Sequence, residues 1–159
     1  MKPTPLTIIE QLRRDKKIIG FTSSAFDLFH AGHTVMLAGA REQCDFLIVG
    51  LLTDPTRDRP GIKNRPVQSI FERWLLCQAC EYIDMIMPFE TEKDLVDMLT
   101  IIKPNKRFVG EEYKGTPHTG WNLPGIEIVY NERKHSFSST ELRERVISLG
   151  NISDGGQDR

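Results

Sequence analysis

The sequence predicts a single α/β domain in which an open parallel sheet of about five strands carries helices on both faces. Short runs of β-branched and aromatic residues alternate with amphipathic segments of about ten to fifteen residues, the pattern of right-handed strand–helix–strand crossovers. The run from Phe46 to Leu52 is apolar throughout, as expected for a strand covered on both faces. A chain of 159 residues with 39% hydrophobic residues suffices for one core and is too short for two ordinary domains.

The first half of the chain is expected to supply two helices and two strands. Thr4 and Pro5 resemble a helix N-cap followed by proline at the first helical position, so a short helix should precede the first strand. That strand is Ile18–Thr22, which is rich in β-branched and aromatic residues. Apolar residues then recur at helical spacing after Gly32, and the Phe46–Leu52 run follows as the second strand.

The second half repeats this alternation. The expected elements are a helix over 67–81, a strand over 85–88, a helix over 92–102, strands over 106–109 and 126–130, and a closing helix over 138–148. In such folds the ligand site lies at the carboxyl ends of the strands. The domain is predicted to cover residues 1–149, and the Gly-, Asp- and Ser-rich tail over 150–159 is predicted to be disordered.

Composition excludes several classes of partner. The 21 basic and 22 acidic residues nearly balance, so no overall field attracts nucleic acid or an anionic membrane, and any anion site must be local. No run approaches the roughly 18 apolar residues of a membrane span, and the first residues lack the apolar run of a signal peptide. Three sparse cysteines do not suit a disulfide framework. We therefore expect a soluble cytoplasmic protein with no membrane or nucleic-acid partner.

The most informative segment runs from Ser24 to His33, where the first strand is expected to lead into a helix. Two histidines separated by Ala-Gly at a helix N-terminus can direct both imidazoles into one pocket. Free backbone N–H groups and the positive end of the helix dipole lie beside them. Gly32 has no Cβ, so a phosphate could approach the backbone closely there. The segment predicts an anion site around His30 and His33.

Two other interpretations of these histidines are open. They could be ordinary residues at a helix start, or half of a metal site. A zinc site needs further ligands, and the remaining histidines, His118 and His135, lie in predicted loops, with the cysteines elsewhere. We therefore predict no metal site in the protein itself.

A second signal lies before the last predicted helix. Ser138 or Ser139 can cap that helix, and Glu141 can complete the capping turn, which is a purely structural role. Capping does not exclude function. Hydroxyls and free N–H groups at this helix start, together with Arg133, could hold the outer phosphates of a triphosphate.

Two weaker signals lie between these motifs. The basic loop around Lys63 and Arg65, followed by Arg73, has the composition of a solvated face, unless it borders a pocket that already binds phosphates. Cys77 and Cys80 have the spacing of a redox pair. They lie in the middle of a predicted helix, however, where no helix N-terminus would lower a thiol pKa, so buried structural thiols are the favoured interpretation.

Four stretches in order resemble the cytidylyltransferase superfamily of HxGH nucleotidyltransferases, most nearly the bacterial glycerol-3-phosphate cytidylyltransferases. They are Phe26–His33, Arg65–Val67 with Glu72–Arg73, Val109–Tyr113, and Phe137–Arg143. The resemblance covers roughly residues 17 to 146. It implies a Rossmann-like nucleotidyltransferase fold.

The resemblance also implies a role for each matching residue. His30 and His33 would contact the triphosphate and stabilise the transition state, and Lys63 would neutralise phosphate charge. Arg133 would bind the β and γ phosphates together with the hydroxyls of the last helix start, and the loop after the fourth strand would face the nucleobase. Beside these four catalytic residues, the predicted nucleotide-binding residues are Ala25, Phe26, Gly32, Arg73, Gly110, Glu112, Tyr113, Ser138, Ser139 and Thr140.

The implied activity is transfer of CMP from CTP to a phosphorylated small alcohol or sugar, with release of pyrophosphate. Magnesium would be bound with the nucleotide, and a homodimer is implied. A substrate phosphate is already an anion at neutral pH, so direct attack needs neither a general base nor a Ser or Cys nucleophile. Two alternatives remain open: adenylyl transfer from ATP to a phosphorylated cofactor precursor, and a nucleotide-binding module without turnover.

The chain departs from the family pattern at three places. Ser24-Ala25 stands where many relatives have Gly-Thr, and Glu111-Glu112 where Asp-Asp is usual. Glu81 stands where the glycerol phosphate enzymes have Arg, a charge reversal that bears on the acceptor more than on CTP. The segment 116–124 could be an acceptor loop or a plain surface loop.

Overall fold

A sheet of five parallel strands forms the centre of the computed structural model, which describes residues 1–150. Its spatial order is β3-β2-β1-β4-β5, and every neighbouring pair is parallel. Because β2 lies inside the sheet and is covered on both faces, its sequence is apolar throughout. The strands are β1 (Ile19–Ser24), β2 (Phe46–Leu52), β3 (Met85–Phe89), β4 (Lys106–Gly110) and β5 (Glu127–Asn131).

Five α-helices and one short 3-10 helix complete this part of the chain. The predicted cap of α1 is in place, since the Thr4 side chain accepts a hydrogen bond from the backbone of Thr7 at 3.2 Å. Thr91 and Asp94 form a capping box at the start of α4. The helices are α1 (Pro5–Arg14), α2 (Ala31–Arg41), α3 (Ile70–Gln78), α4 (Glu92–Ile102) and α5 (Ser139–Gly150), with the 3-10 helix at Glu111–Tyr113.

The two faces of the sheet bury separate apolar clusters. Leu37 of α2 and Cys77 of α3 pack on one face. Ile9 of α1 and Leu99 of α4 pack on the other. Each fully buried large apolar side chain contributes about 1.5–3 kcal/mol. Successive side chains of one strand point to opposite faces of the sheet, so neighbouring residues of a strand contact different layers of helices.

Helix α3 is shorter than the sequence predicts. The predicted helix covers 67–81, whereas the observed helix is Ile70–Gln78. The backbone N–H groups of Val67 and Gln68 both donate to the carboxylate of Asp27, which holds this segment against the turn after β1. A capping box of Ser69 and Glu72 then starts α3.

The predicted fold class is confirmed: an open parallel five-stranded sheet with helices on both faces. Gly150 is the last residue of α5, and the disorder predicted for the tail otherwise falls on residues 151–159, which lie outside the described residues. The predicted boundary of the domain therefore stays a prediction. Within residues 1–150, none of the helices has the length and apolar character needed to cross a membrane.

Candidate active site

The site lies at the carboxyl ends of the strands, beside the central strand β1. From β1 the chain moves outward to β2 and β3, then returns to place β4 and β5 on the other side. Ligands of open α/β sheets bind in the crevice at such a reversal. The turns after β1 and β4 and the segment after β5 all open onto this edge, and they carry the predicted site residues other than Lys63 and Arg73, which follow β2.

The turn between β1 and α2 has a strained backbone. Phe26 and Leu28 both have a φ of 49°, in the left-handed region that residues other than glycine rarely adopt. The side chain of Phe26 is completely buried in the cluster under α2. Leu28 donates its backbone N–H to the Gln68 side chain at 2.8 Å. Burial and hydrogen bonding offset the strain and hold the turn in one shape.

Asp27, between these two residues, is the main anchor of the turn. Its carboxylate accepts hydrogen bonds from the backbone of Val67 and of Gln68, both at 2.9 Å, and pairs with Arg143 of α5 at 2.6 Å. Burial alone would raise the pKa of Asp27, but these hydrogen bonds and the Arg143 charge outweigh it and lower that pKa below its ordinary value. A buried carboxylate therefore links three segments that are distant in the sequence.

The two histidines of the predicted anion site are held by backbone hydrogen bonds. The N–H of Gly32 donates to Nδ1 of His30 at 3.0 Å, and the N–H of His30 donates to Nδ1 of His33 at 3.2 Å. A neutral imidazole that accepts at Nδ1 carries its proton at Nε2. Both rings therefore present an Nε2–H donor, in orientations that the start of α2 fixes.

The electrostatics of the pair favour neutral rings. The ring centroids of His30 and His33 are 3.9 Å apart and nearly parallel. Burial is the main cause that lowers the pKa of His33 to about 4, and the neighbouring His30 contributes to it. Burial is also the main cause that lowers the pKa of His30, with contributions from His135 and Arg133. At neutral pH the pair therefore acts as two uncharged hydrogen-bond donors.

A second helix start meets the first. Nε2 of His30 lies 3.1 Å from the hydroxyl of Ser139, the first residue of α5. The Ser138 hydroxyl accepts from the backbone N–H of Glu141 and so caps that helix. The amino ends of α2 and α5, each with a positive dipole end, thus converge on one place.

Gly32 is required by close packing. A Cβ at this position would lie 2.9 Å from Cε1 of His30 and 2.9 Å from Cε1 of His135. Two imidazoles therefore occupy the space next to Gly32, where sequence analysis expected a phosphate to approach the backbone. Sequence analysis did not select His135 for the site, because it lies in a loop with no recognisable motif.

A cavity of about 430 Å³ lies at the carboxyl ends of β1 and β4. Five predicted site residues line it: Ala25, Lys63, Gly110, Glu112 and Tyr113. His30, His33 and the start of α5 do not line it. A Cβ on Gly110 would collide with the carboxylate of Glu112, which folds back over this glycine. The structure thus brings the predicted base-facing loop and the basic loop to one cavity.

Two predicted site arginines bond to backbone carbonyls, and a third predicted site residue, Thr140, is exposed. Arg73 is only 2% exposed, and Arg133 donates to the carbonyl of Phe137 at 2.9 Å, while Thr140 is exposed at the start of α5. The guanidinium of Arg73 makes four hydrogen bonds, all to backbone carbonyls, those of Ala25, Leu52, Thr53 and Gln68. Arg73 therefore holds the loops beneath the site together.

Sequence analysis also missed Asp27 and its partner Arg143. Asp27 is the only acidic residue between Ser24 and His33, and Arg143 follows the serine-rich helix start by one turn. Both belong to motifs that sequence analysis did identify. What the sequence could not reveal is that the two side chains meet across 116 positions.

Neither redox chemistry nor a resident metal gains support from the described residues. Cys77 is completely buried, and burial raises its pKa to about 11, so it stays a protonated thiol. Cys80 is half-buried, just beyond the end of α3. In residues 1–150 no group of three or more His, Cys, Asp or Glu side chains is arranged to hold a metal ion.

Comparisons with known proteins agree with this geometry. Residues 21–145 match the family model described as cytidylyltransferase-like. The bifunctional protein HldE of Nitrobacter winogradskyi is 35% identical over 80% of this chain and 27% of its own length. HldE of Campylobacter jejuni strain RM1221 is 32% identical over 89% of this chain and 30% of its own length. This chain thus spans less than a third of these relatives.

Solved structures support the fold. The lipopolysaccharide core biosynthesis protein of Thermoplasma volcanium superposes with a TM-score of 0.53 at 20% identity, covering 84% of this chain and 89% of its own. Pantothenate synthetase of Thermus thermophilus superposes with a TM-score of 0.57 at 16% identity, covering 86% of this chain and 68% of its own. The predicted superfamily is thereby confirmed: on the match over residues 21–145, the chain belongs to the cytidylyltransferase-like family of nucleotidyltransferases.

Proposed function

We propose that this protein transfers CMP from CTP to a phosphorylated small alcohol or sugar and releases pyrophosphate. The proposal depends on one observation above all. His30 and His33 present two neutral Nε2–H donors where the amino ends of α2 and α5 converge. Neutral donors and two helix dipoles together favour a polyphosphate.

The proposed chemistry is an in-line displacement. A phosphate oxygen of the acceptor attacks the α-phosphorus of CTP, a new P–O bond forms, and the bond to the bridging oxygen of the β-phosphate breaks. The departing group is pyrophosphate. Since the attacking oxygen already carries negative charge, no base has to remove a proton. This agrees with the low pKa of His33, whose neutral ring can donate to a phosphoryl oxygen and need not accept a proton.

Charge neutralisation would come from the surrounding loops. Lys63 is exposed on the wall of the cavity and can turn towards a phosphate. Arg133 would have to exchange the carbonyl of Phe137 for the β or γ phosphate, and Ser138, Ser139 and Thr140 offer hydroxyls at the same helix start. Magnesium would arrive with the triphosphate, whose oxygens supply its ligands, and is therefore part of the substrate.

The nucleobase would lie against the loop after β4. Gly110, Glu112 and Tyr113 line the cavity there, and the exposed Glu112 carboxylate can accept from an exocyclic amine. Cytosine and adenine both carry such an amine, so CTP and ATP must be compared directly. We expect calorimetric titration with the magnesium complexes to give tighter binding for CTP. Tighter binding of ATP would contradict the proposed use of CTP and favour adenylyl transfer instead.

Turnover is tested by pyrophosphate release. The protein would be incubated with CTP or ATP, magnesium, and a panel of phosphorylated alcohols and sugars. We expect release only when an acceptor is present. Nucleotide binding without release for any acceptor would favour a binding module without turnover.

A homodimer is proposed through α3. The apolar side chains of Ile70, Phe71 and Leu75 are 38%, 67% and 48% exposed, and Val67 beside them is 66% exposed. Phe71 and Leu75 are four residues apart and lie on one side of α3, and Val67 precedes the helix. Sedimentation velocity would test this: we expect a dimer for the natural chain and a monomer for Phe71→Glu. A natural chain that sediments as a monomer would contradict it.

A further inference from the structure

Arg107 is a buried charge that neither the family motifs nor the proposed chemistry explains. It is the second residue of β4 and is only 5% exposed. Its Cα pairs with Phe21, so its side chain lies on the sheet face that α1 and α4 cover. It also lines the cavity described above.

The protein itself compensates this charge poorly. Among the described residues, the guanidinium donates only one hydrogen bond, from Nη1 to the carbonyl of Thr119, and its Nε is buried without a partner. No carboxylate in residues 1–150 lies within the 4.0 Å of an ion pair. The acid that influences it most, Glu92, pairs instead with Arg59 at 3.1 Å. A buried cation in this state is costly unless an anion joins it.

The cavity around Arg107 is suited to an anion. Arg59, Lys63 and Arg107 line it, and so do two carboxylates, Glu92 and Glu112. Glu92 pairs with Arg59, which leaves Lys63 and Arg107 as the cations of this lining that have no ion pair within residues 1–150. A guanidinium offers several donors in one plane, which suits the paired oxygens of a carboxylate or phosphate.

The position of Arg107 separates it from the reacting phosphates. His33 belongs to α2 and His30 caps it, and this helix packs on the opposite face of the sheet. Neither histidine lines the cavity that Arg107 lines. Arg107 is level with Phe21, three residues before the end of β1 at Ser24. The reacting oxygen must lie within about 3–3.5 Å of the α-phosphorus, near the histidines. An anion on Arg107 is therefore a different group of the bound molecule.

We propose that Arg107 binds a second acidic group of the acceptor, so that the acceptor is a phosphorylated small molecule that also carries a carboxylate or a further phosphate. This inference rests on the proposed function, because it assumes that the cavity receives a phosphorylated acceptor. It adds the substrate class: a diacid, selected over the corresponding monoacid.

A purely structural role for Arg107 makes a different prediction. The bond to Thr119 ties β4 to the 116–124 loop, and a Cβ on Gly120 would lie 2.9 Å from Nη1. If this tie were its function, Arg107→Leu would lower the melting temperature. If Arg107 is held for a ligand, leucine removes an uncompensated charge and the melting temperature should stay equal or rise.

Matched pairs of acceptors test the proposal by calorimetry, in the presence of magnesium and a non-hydrolysable CTP analogue. The pairs are glycerol phosphate against phosphoglycerate, and glucose monophosphate against glucuronate phosphate and glucose bisphosphate. We expect at least one acidic member to bind about tenfold or more tightly than its partner. Phosphoglycerate and glucuronate phosphate report a carboxylate, and glucose bisphosphate reports a phosphate.

Variants assign the preference to Arg107. Arg107→Leu should bring the ratio of affinities close to one, and Arg107→Lys should retain part of it. Arg41→Leu is the control, since Arg41 also donates to a backbone carbonyl, that of Cys44, but does not line the cavity. It should keep the full preference.

Each outcome decides the proposal. Two results of the acceptor titrations would overturn it: equal or undetectable binding within every pair, and a ratio of affinities that is unchanged in Arg107→Leu. A lower melting temperature or weaker CTP binding in Arg107→Leu would also overturn it. Because the readout is binding, it stands apart from turnover. Loss of pyrophosphate release with a retained diacid preference would refute the proposed activity while leaving the Arg107 site standing.

Discussion

The turn between β1 and α2 and the loop over residues 53–69 both border the candidate site, yet they are built in opposite ways. The turn contains a completely buried Phe26 and a carboxylate, Asp27, that bonds to two other segments. The loop carries Lys63 and a 79% exposed Ile62, and it is held by ion pairs such as Arg59–Glu92, whose side chains are 37% and 33% exposed. The buried region fixes orientation, and the exposed region supplies charge that can adapt to a ligand.

The largest effect is expected for variants of the two histidines that follow the buried turn. His30→Ala and His33→Ala should each lower turnover about a hundredfold or more, because each removes a preorganised donor to the phosphoryl oxygens. Circular dichroism should give native spectra for both. The surface variant Gln43→Ala should keep full activity, and near-normal rates in both histidine variants would refute their assigned role.

A second variant removes the carboxylate of Asp27, which anchors the turn between β1 and α2. Asp27→Ala leaves Arg143 and two backbone N–H groups without their partner, and should lower the free energy of unfolding by about 3–5 kcal/mol in urea titrations. Asp97→Ala removes an exposed ion pair to Lys93 and should cost less than about 0.5 kcal/mol. Equal losses from the two variants would mean that the buried network is no stronger than a surface pair.

The pH dependence of stability sharpens the contrast. The pKa of His33 is lowered from 6.5 to about 4 in the folded protein, so protonation disfavours the folded state. Stability should fall by about 3 kcal/mol or less as the pH drops from about 6.5 to about 4, and His33→Gln should remove this part of the slope. Asp27 acts in a separate window: its pKa is lowered from 3.8, so its contribution is present above that pH and is lost as the pH falls further. Identical slopes for the natural chain and His33→Gln would contradict the burial of this ring.

The smallest expected effect belongs to the exposed region. Lys63→Ala should raise KM for the nucleotide or the acceptor about tenfold, since one phosphate contact is lost. The free energy of unfolding should change by less than about 0.5 kcal/mol, because Lys63 is exposed. Lys2→Ala serves as the control for charge, and a large loss of stability in Lys63→Ala would show that the loop is structural.

Local patterns predicted most of the fold. The interior strand β2 and the helices α1 and α4 follow from periodicity and caps that lie within each segment. The start of α3 was predicted wrongly because the Ser69–Glu72 capping box that begins it was overlooked. The bonds of Val67 and Gln68 to Asp27, about 40 positions earlier, are a long-range contact that a sequence pattern does not record.

The candidate site was predicted in outline. The motifs selected His30, His33 and Ser139, which the structure brings into contact. They also selected Arg73, but a motif does not reveal where a side chain points. The hydrogen bonds of this guanidinium all go to backbone carbonyls. His135 was missed because its nearness to Gly32 arises only when the β5–α5 segment folds over α2.

The left-handed backbone at Phe26 and Leu28 limits how this site could be redesigned. Valine, isoleucine or threonine at position 28 would clash with its own backbone, whereas glycine or asparagine could adopt the required φ without strain. Position 26 has no such freedom, because its ring also fills the space beneath α2. A library built to change the substrate of this protein should therefore vary the cavity walls and keep the residue at position 26.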